Sequence, residues 1–179
     1  MRLVPLARGL VLATALLAAG CADPTQEARI AALGPEDPLL RPGPLHRPGQ
    51  PCLVCHDGGA ASLFSAGGTI YRDRQGATPA ADATVLLVDA AHTAIAVKTN
   101  CAGNFFVPAR SFAPTMPLWA SLRLGEERID MESPMHKDGD CAACHGDPAG
   151  PTSAGPVFVF DGDGLSASAA AAAAAAGCP

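Results

Sequence analysis

Thr84-Val85-Leu86-Leu87-Val88-Asp89, followed after Ala90-Ala91-His92-Thr93 by Ala94-Ile95-Ala96-Val97-Lys98-Thr99, decides the fold. The first run is apolar and β-branched and the second resumes after a short turn, so together they predict a β-hairpin. His92 falls in that turn and reads as a surface residue. Working outward, Thr69-Ile70-Tyr71-Arg72 follows Gly67-Gly68 on one side, and Gly103-Asn104-Phe105-Phe106-Val107-Pro108 reads as a strand on the other. In Leu118-Trp119-Ala120-Ser121-Leu122-Arg123-Leu124, the residues Leu118, Ala120, Leu122 and Leu124 share one face, while Ser121 and Arg123 point away. Gly125-Glu126 then turns the chain into Glu127-Arg128-Ile129-Asp130-Met131. Six short strands with no convincing helix predict a mainly β domain, an antiparallel β-sandwich over about residues 67–133.

The borders of this insert carry the chemistry. Cys52-Leu53-Val54-Cys55-His56 stands before it and Cys141-Ala142-Ala143-Cys144-His145 after it. Each reads Cys-x-x-Cys-His, the attachment signal of a c-type haem. Two thiols that add across the two vinyl groups of haem must sit a fixed distance apart on one short turn. The His that follows at once is carried under the ring, where its imidazole binds iron. The expectation is two haem c groups, held by Cys52 and Cys55 and by Cys141 and Cys144, with His56 and His145 as proximal ligands. A four-thiolate zinc site is the competing reading; the gap from Cys55 to Cys141 is far longer than a normal zinc-ribbon spacing, though a folded insertion could bridge it. Disulfides or thioredoxin-like motifs are another. Neither needs a His directly after both pairs.

The flanks of the two motifs also match. His46-Arg47-Pro48-Gly49-Gln50-Pro51 precedes the first and His136-Lys137-Asp138-Gly139-Asp140 the second. Each runs His, a cation, one residue, Gly, then a short spacer to Cys, which reads as an internal repeat. His46 and His136 are the candidate distal iron ligands, and which iron each serves is open. Met131 and Met135 are the alternative distal ligands, with Met116 further off. A thioether would raise the potential relative to a second imidazole, although Met in such a setting is more often packing material.

The first twenty residues point to export. Arg2 and Arg8 precede the apolar run Leu10 to Leu17, and Ala18-Ala19-Gly20 leads to Cys21, so residues 1–20 read as a signal peptide. The run is too short for a spanning helix. Residues 21–51 read as a Pro-rich tether with a short helix over Gln26 to Leu33 and an extended remainder. Residues 52–160 form the expected haem-binding domain, with Val157-Phe158-Val159-Phe160 as a possible last strand. Residues 161–179 form a low-complexity tail, in which Asp161-Gly162-Asp163-Gly164 lacks the distal Glu of an EF-hand and reads as a turn. The alanines from 169 to 176 favour a helix of about two turns, too short to be stable alone.

Of 179 residues only 16% are charged, and the net charge is −5. That argues against nucleic acid as a partner and leaves a cationic redox protein open. Aromatic residues are 4% of the chain, and a bonded porphyrin would supply apolar bulk that they do not. Of seven cysteines, four belong to the motifs and Cys21 to the end of the signal. Cys101 and Cys178 are left, free to pair in an oxidising compartment or to stay unpaired.

Three resemblances add to this reading. Leu17-Ala18-Ala19-Gly20-Cys21 resembles a bacterial lipobox, departing from it at Ala18 where Leu is preferred. It implies lipidation of Cys21 and anchoring to a membrane leaflet, at the periplasm or the cell surface, with Ala22 leaning towards the outer membrane. The order Gly68-Thr69-Ile70-Tyr71, Ala83-Thr84-Val85, then Thr99-Asn100-Cys101-Ala102-Gly103-Asn104-Phe105-Phe106-Val107 resembles the carboxypeptidase regulatory-like (transthyretin-like) sandwich, an Ig-like fold with no catalytic residues of its own. The chain as a whole resembles exported bacterial dihaem c-type cytochromes through its two motifs and its signal. It implies electron transfer to a redox partner protein rather than catalysis, with low-spin, His-ligated iron. A small haem peroxidase, a nitrogen-oxide reductase, a haem-based redox sensor or a binding module in a larger surface complex is the alternative, and an enzyme would need one open iron face.

Overall fold

The computed structural model describes residues 23–36, 38, 43–146 and 149–159. The signal peptide, Cys21, Cys178 and the alanine-rich tail lie outside the described residues. The chain divides into two compact units, one ending at Pro35 and one beginning at Glu36.

In the first unit, helix α1 spans Pro24–Ala32, starting two residues earlier and ending one residue earlier than the stretch Gln26 to Leu33 expected from the sequence. Asp23 caps it, its Oδ1 accepting from the amides of Thr25 at 2.9 Å and Gln26 at 3.4 Å. Pro24 fills the first helical position, where no amide is needed. No helix among the described residues is long and apolar enough to cross a membrane.

The second unit is mainly β, built of two four-stranded sheets. Its strands are β1 Phe64–Tyr71, β2 Thr84–Asp89, β3 Ala94–Lys98, β4 Asn104–Pro108, β5 Leu118–Leu124, β6 Glu127–Asp130, β7 Gly139–Asp140 and β8 Val157–Phe158. The hairpin expected at 84–99 is β2–β3, paired Thr84 with Lys98 through Val88 with Ala94. Its turn is closed by Asp89, whose Oδ1 accepts from the amides of Ala91 and Thr93, and His92 takes φ 62° there. The second sheet runs β3-β2-β5-β6 and is antiparallel throughout. The first sheet departs from the expected antiparallel pattern. β4 pairs with β1 antiparallel, but β7 and β8 both run parallel to β1. Both short strands reach β1 by long crossover connections, which is what parallel pairing requires.

Both sheets contribute to one core. Ala66, Ile70, Phe105 and Val107 come from the first, and Val85, Leu87, Leu118 and Leu122 from the second. Inward and outward residues alternate along β2, with Val85, Leu87 and Asp89 buried. Each large side chain fully enclosed here, such as Leu87, Leu118 or Phe105, stabilises the fold by about 1.5–3 kcal/mol.

The Thr99–Phe105 turn connects the two sheets. Thr99 Oγ1 accepts from the Ala83 amide at 2.9 Å and donates to the Ala80 carbonyl at 2.5 Å. Asn100 Oδ1 accepts from the amides of Ala102 and Asn104 at 3.0 and 3.1 Å. Gly103 sits at φ 76°, and a Cβ there would strike the Ile70 carbonyl oxygen. Gly103→Ala is therefore expected to lower stability by about 1–3 kcal/mol, read as a drop in the urea midpoint. An unchanged midpoint would contradict this account of the turn.

Residues 43–51, expected as the end of an extended tether, instead run through turns bonded to the first sheet. Gly49 donates its amide to Thr69 Oγ1 at 2.7 Å, and the Pro44 carbonyl accepts from Asn100 Nδ2 at 2.7 Å. Proline blocked a helix here without making the chain straight.

Candidate haem-attachment site

Strand β1 brings the two pentapeptides together. The folded 43–51 segment delivers the first, and β7, paired along β1, delivers the second immediately after Asp140. Each then forms the same structure, a 3-10 turn, over Cys52–Val54 and over Cys141–Ala143. In each, the His amide bonds back to the carbonyl of the first Cys, at 3.0 Å for His56 and 2.9 Å for His145. The repeat seen in sequence is thus also a repeat of backbone shape.

The two histidines are set alike. His56 Nδ1 lies 3.0 Å from the Ser62 carbonyl oxygen and His145 Nδ1 lies 3.1 Å from that of Gly155. A carbonyl can only accept, so in the neutral ring Nδ1 carries the proton and Nε2 keeps its lone pair. This is the arrangement in which a ring nitrogen is ready for a metal while its other nitrogen fixes the ring's orientation.

The four motif thiols are free. Cys52 packs on Gly67 and Cys141 on Gly68: a Cβ at Gly67 would lie 3.2 Å from Cys52 Sγ, and one at Gly68 3.2 Å from Cys141 Sγ. Successive residues of a strand face opposite ways, so the two leading cysteines lie over opposite faces of β1. Burial pushes the Cys52 thiol up to about 12, helped by the Asp140 charge and by Cys55. Burial does the same for Cys141, also to about 12, with Cys52 and then Asp140 adding to it.

The nucleophile in alkylation is the thiolate. Iodoacetamide at pH 8 is therefore expected to reach the exposed Cys144 first and Cys52 and Cys141 last in the folded, unmodified chain. Because these two thiols hold their protons more tightly folded than unfolded, their contribution to stability is complete below the ordinary value of 9.0. It is lost as pH rises towards about 12. Equal labelling rates at all four positions would contradict this.

The remaining candidates divide clearly. His46 stands beside His56, with ring centroids 5.9 Å apart and planes tilted by 33°. Its Nδ1 also meets a backbone carbonyl, that of Gly43, so in the neutral ring its Nε2 keeps a lone pair too. Two imidazoles sharing one metal ion stand roughly 6 Å apart, two bonds of about 2 Å plus the ring half-widths. His136 is exposed. Met135 pairs its backbone with Leu118 and packs against the core, and Met116 packs there as well. Met131 is half-buried, and its amide bonds to Ala120. Cys101 is in a disulfide, and the expected partner Cys178 lies outside the described residues.

A tetrahedral four-thiolate site would need all four sulfurs around one ion. Instead the two leading cysteines pack on successive residues of β1, Cys52 on Gly67 and Cys141 on Gly68. Among the described residues, no three His, Cys, Asp or Glu side chains converge as a metal site.

Three residues of the site were not singled out from the sequence. Asp140 is buried, and its Oδ2 accepts from the Leu53 amide at 3.2 Å, tying the second pentapeptide's flank to the middle of the first. Phe64 stacks on the His56 ring at 3.9 Å and Phe106 on Phe64 at 5.0 Å. Gly67-Gly68 inside a strand was the readable signal, since glycine there often marks a close approach.

The residues present fit a haem. They offer free thiols at the required spacing, imidazoles whose Nδ1 meets a backbone carbonyl, and an aromatic pair at His56, with Phe64 stacked on its ring and the exposed Phe106 (38%) stacked on Phe64. No protein-family model matches the chain, nor does any curated protein or solved structure.

Proposed function

We propose that the chain is an exported dihaem c-type cytochrome that transfers electrons. The observation that carries this reading is the pair of matched Cys-x-x-Cys-His turns, each with its His Nδ1 bonded to a carbonyl and its Nε2 left for iron. Cys52 with Cys55 and Cys141 with Cys144 would hold the two haems, and His56 and His145 would be their proximal ligands. When bound, each haem supplies a one-electron change at its iron. The chain's own residues do the rest. Asp140 ties the two turns together, backbone acceptors fix the imidazoles, and Phe64 with Phe106 would give the first haem an aromatic neighbour. His46 is the distal partner of His56 in this reading, supported by their 5.9 Å separation.

The scaffold is proposed to be a transthyretin-like β-sandwich. The support is the shared core of two sheets and the Thr99–Phe105 turn with its two side-chain clamps. Export, lipidation of Cys21, a place at the periplasmic or outer surface, a redox partner protein and a Cys101–Cys178 bridge belong to the same proposal, and rest on the sequence.

The test is a pyridine haemochrome assay on protein matured in a host that exports and attaches haem c. Two covalent haems per chain are expected. Correctly exported protein holding zinc and no haem would overturn the reading.

A further inference from the structure

We infer that Asn104 is the positioning residue that presents His46 to the iron of the first haem, an inference that rests on the dihaem reading above. Asn104 starts β4 opposite Thr69 of β1, and both side chains are buried. Asn104 Nδ2 donates to the His46 carbonyl at 3.2 Å and to the Pro44 carbonyl at 3.3 Å. Its Oδ1 accepts from Thr69 Oγ1 at 2.7 Å, and that hydroxyl in turn accepts from the Gly49 amide at 2.7 Å. Asn100 Nδ2 adds a bond to the Pro44 carbonyl at 2.7 Å.

The direction of this chain of bonds is forced. The two carbonyls can only accept, so the amide nitrogen must face them, and the amide oxygen must face the Thr69 hydroxyl. Residues 44, 46 and 49 are thereby held at three points to the rigid pair of strands β1 and β4. His46 lies inside that clamp, with its ring turned to the Gly43 carbonyl and beside His56.

A ligand held in place before the metal arrives loses little freedom on binding, so it competes well against an added ligand. At the second site His136 is exposed, and among the described residues no side chain bonds to it. The clamp belongs to the first site alone among those residues.

Asn104→Asp keeps the size and the acceptor but removes both donors to the His46 and Pro44 carbonyls. Thr69→Val is a second variant that removes the hydroxyl and keeps a β-branched strand residue. Each is purified as holoprotein, and its haem count is verified first. A preparation without two covalent haems in the unaltered chain would overturn the dihaem reading itself, a result separate from the one sought here.

Reduced protein is then titrated with carbon monoxide and followed at the Soret band. His46→Ala serves as the reference for a lost sixth ligand, and Val97→Ala, on β3 of the other sheet, for general destabilisation. Asn104→Asp and Thr69→Val are expected to bind one more carbon monoxide per chain than the unaltered protein, as His46→Ala does, while Val97→Ala binds no more. Added imidazole should restore the low-spin spectrum of the Asn104 variant. The inference fails if His46→Ala changes nothing. It fails equally if His46→Ala gains a carbon monoxide site while both clamp variants keep the unaltered stoichiometry and spectrum.

Discussion

Replacing Cys141 and Cys144 together by alanine is expected to leave one covalent haem per chain in place of two, and replacing Cys52 and Cys55 is expected to do the same. The reason is geometric independence. Each pentapeptide has its own 3-10 turn, its own imidazole and its own backbone acceptor, at Ser62 for one and Gly155 for the other. The leading cysteines pack on successive residues of β1, Gly67 and Gly68, so in the proposed reading neither haem would use the other's thiols. The tie between the turns survives these substitutions, because it runs from Asp140 Oδ2 to the Leu53 amide and involves no sulfur. Haem per chain by pyridine haemochrome, with peptide mass mapping of the modified cysteines, reads the outcome. Loss of both haems from either variant would mean that the two turns mature as one unit.

Gly68→Ala is expected to abolish attachment at the second site while leaving the first. A Cβ at residue 68 would lie 2.7 Å from Cys141 Cβ and 3.3 Å from Phe105 Cε1. Phe105 is fixed in the core and cannot yield, so Cys141 must move off β1. Overpacking of this kind costs about 1–3 kcal/mol in addition. Gly67→Ala offers the matched comparison. Its Cβ would approach Cys52 Cβ at 3.1 Å and Sγ at 3.2 Å, with the Phe105 carbonyl at 3.5 Å. A shift of a few tenths of an ångström in the half-buried Cys52 turn relieves that. The first site should therefore keep its haem in Gly67→Ala at a small loss of stability. Equal behaviour of the two variants, by haem count and urea midpoint, would contradict the seating of Cys141 on Gly68.

The strands were legible because their residues declare both a period and a boundary. Thr84–Asp89 and Ala94–Lys98 alternate or run apolar between turn residues, and β5 sorts its side chains by face as its sequence implies. The two-residue strands β7 and β8 were not legible as parallel partners of β1. Two residues show no period, and pairing them is a decision of the crossovers that deliver them. The 43–51 segment was misread because proline content excludes a helix but says nothing of where a carbonyl will find a donor. That donor is Asn104, about sixty residues away in sequence.

The site was legible in part for a similar reason. Local spacing marks the two Cys-x-x-Cys-His stretches as a repeat, and both take the same 3-10 turn. The orientation of each imidazole depends on acceptors at Ser62 and Gly155, which no spacing rule reaches. Of the distal candidates the structure brings His46 to a ring separation of 5.9 Å from His56, leaves His136 exposed, and puts Met135 against the core.

The most direct measurement is the intact mass of the protein after export from a host with haem c maturation, followed by mapping of its cysteine peptides. The account predicts a mass increase of two haems, with thioether links at Cys52 and Cys55 and at Cys141 and Cys144. Four unmodified sulfurs in the mature protein would contradict it.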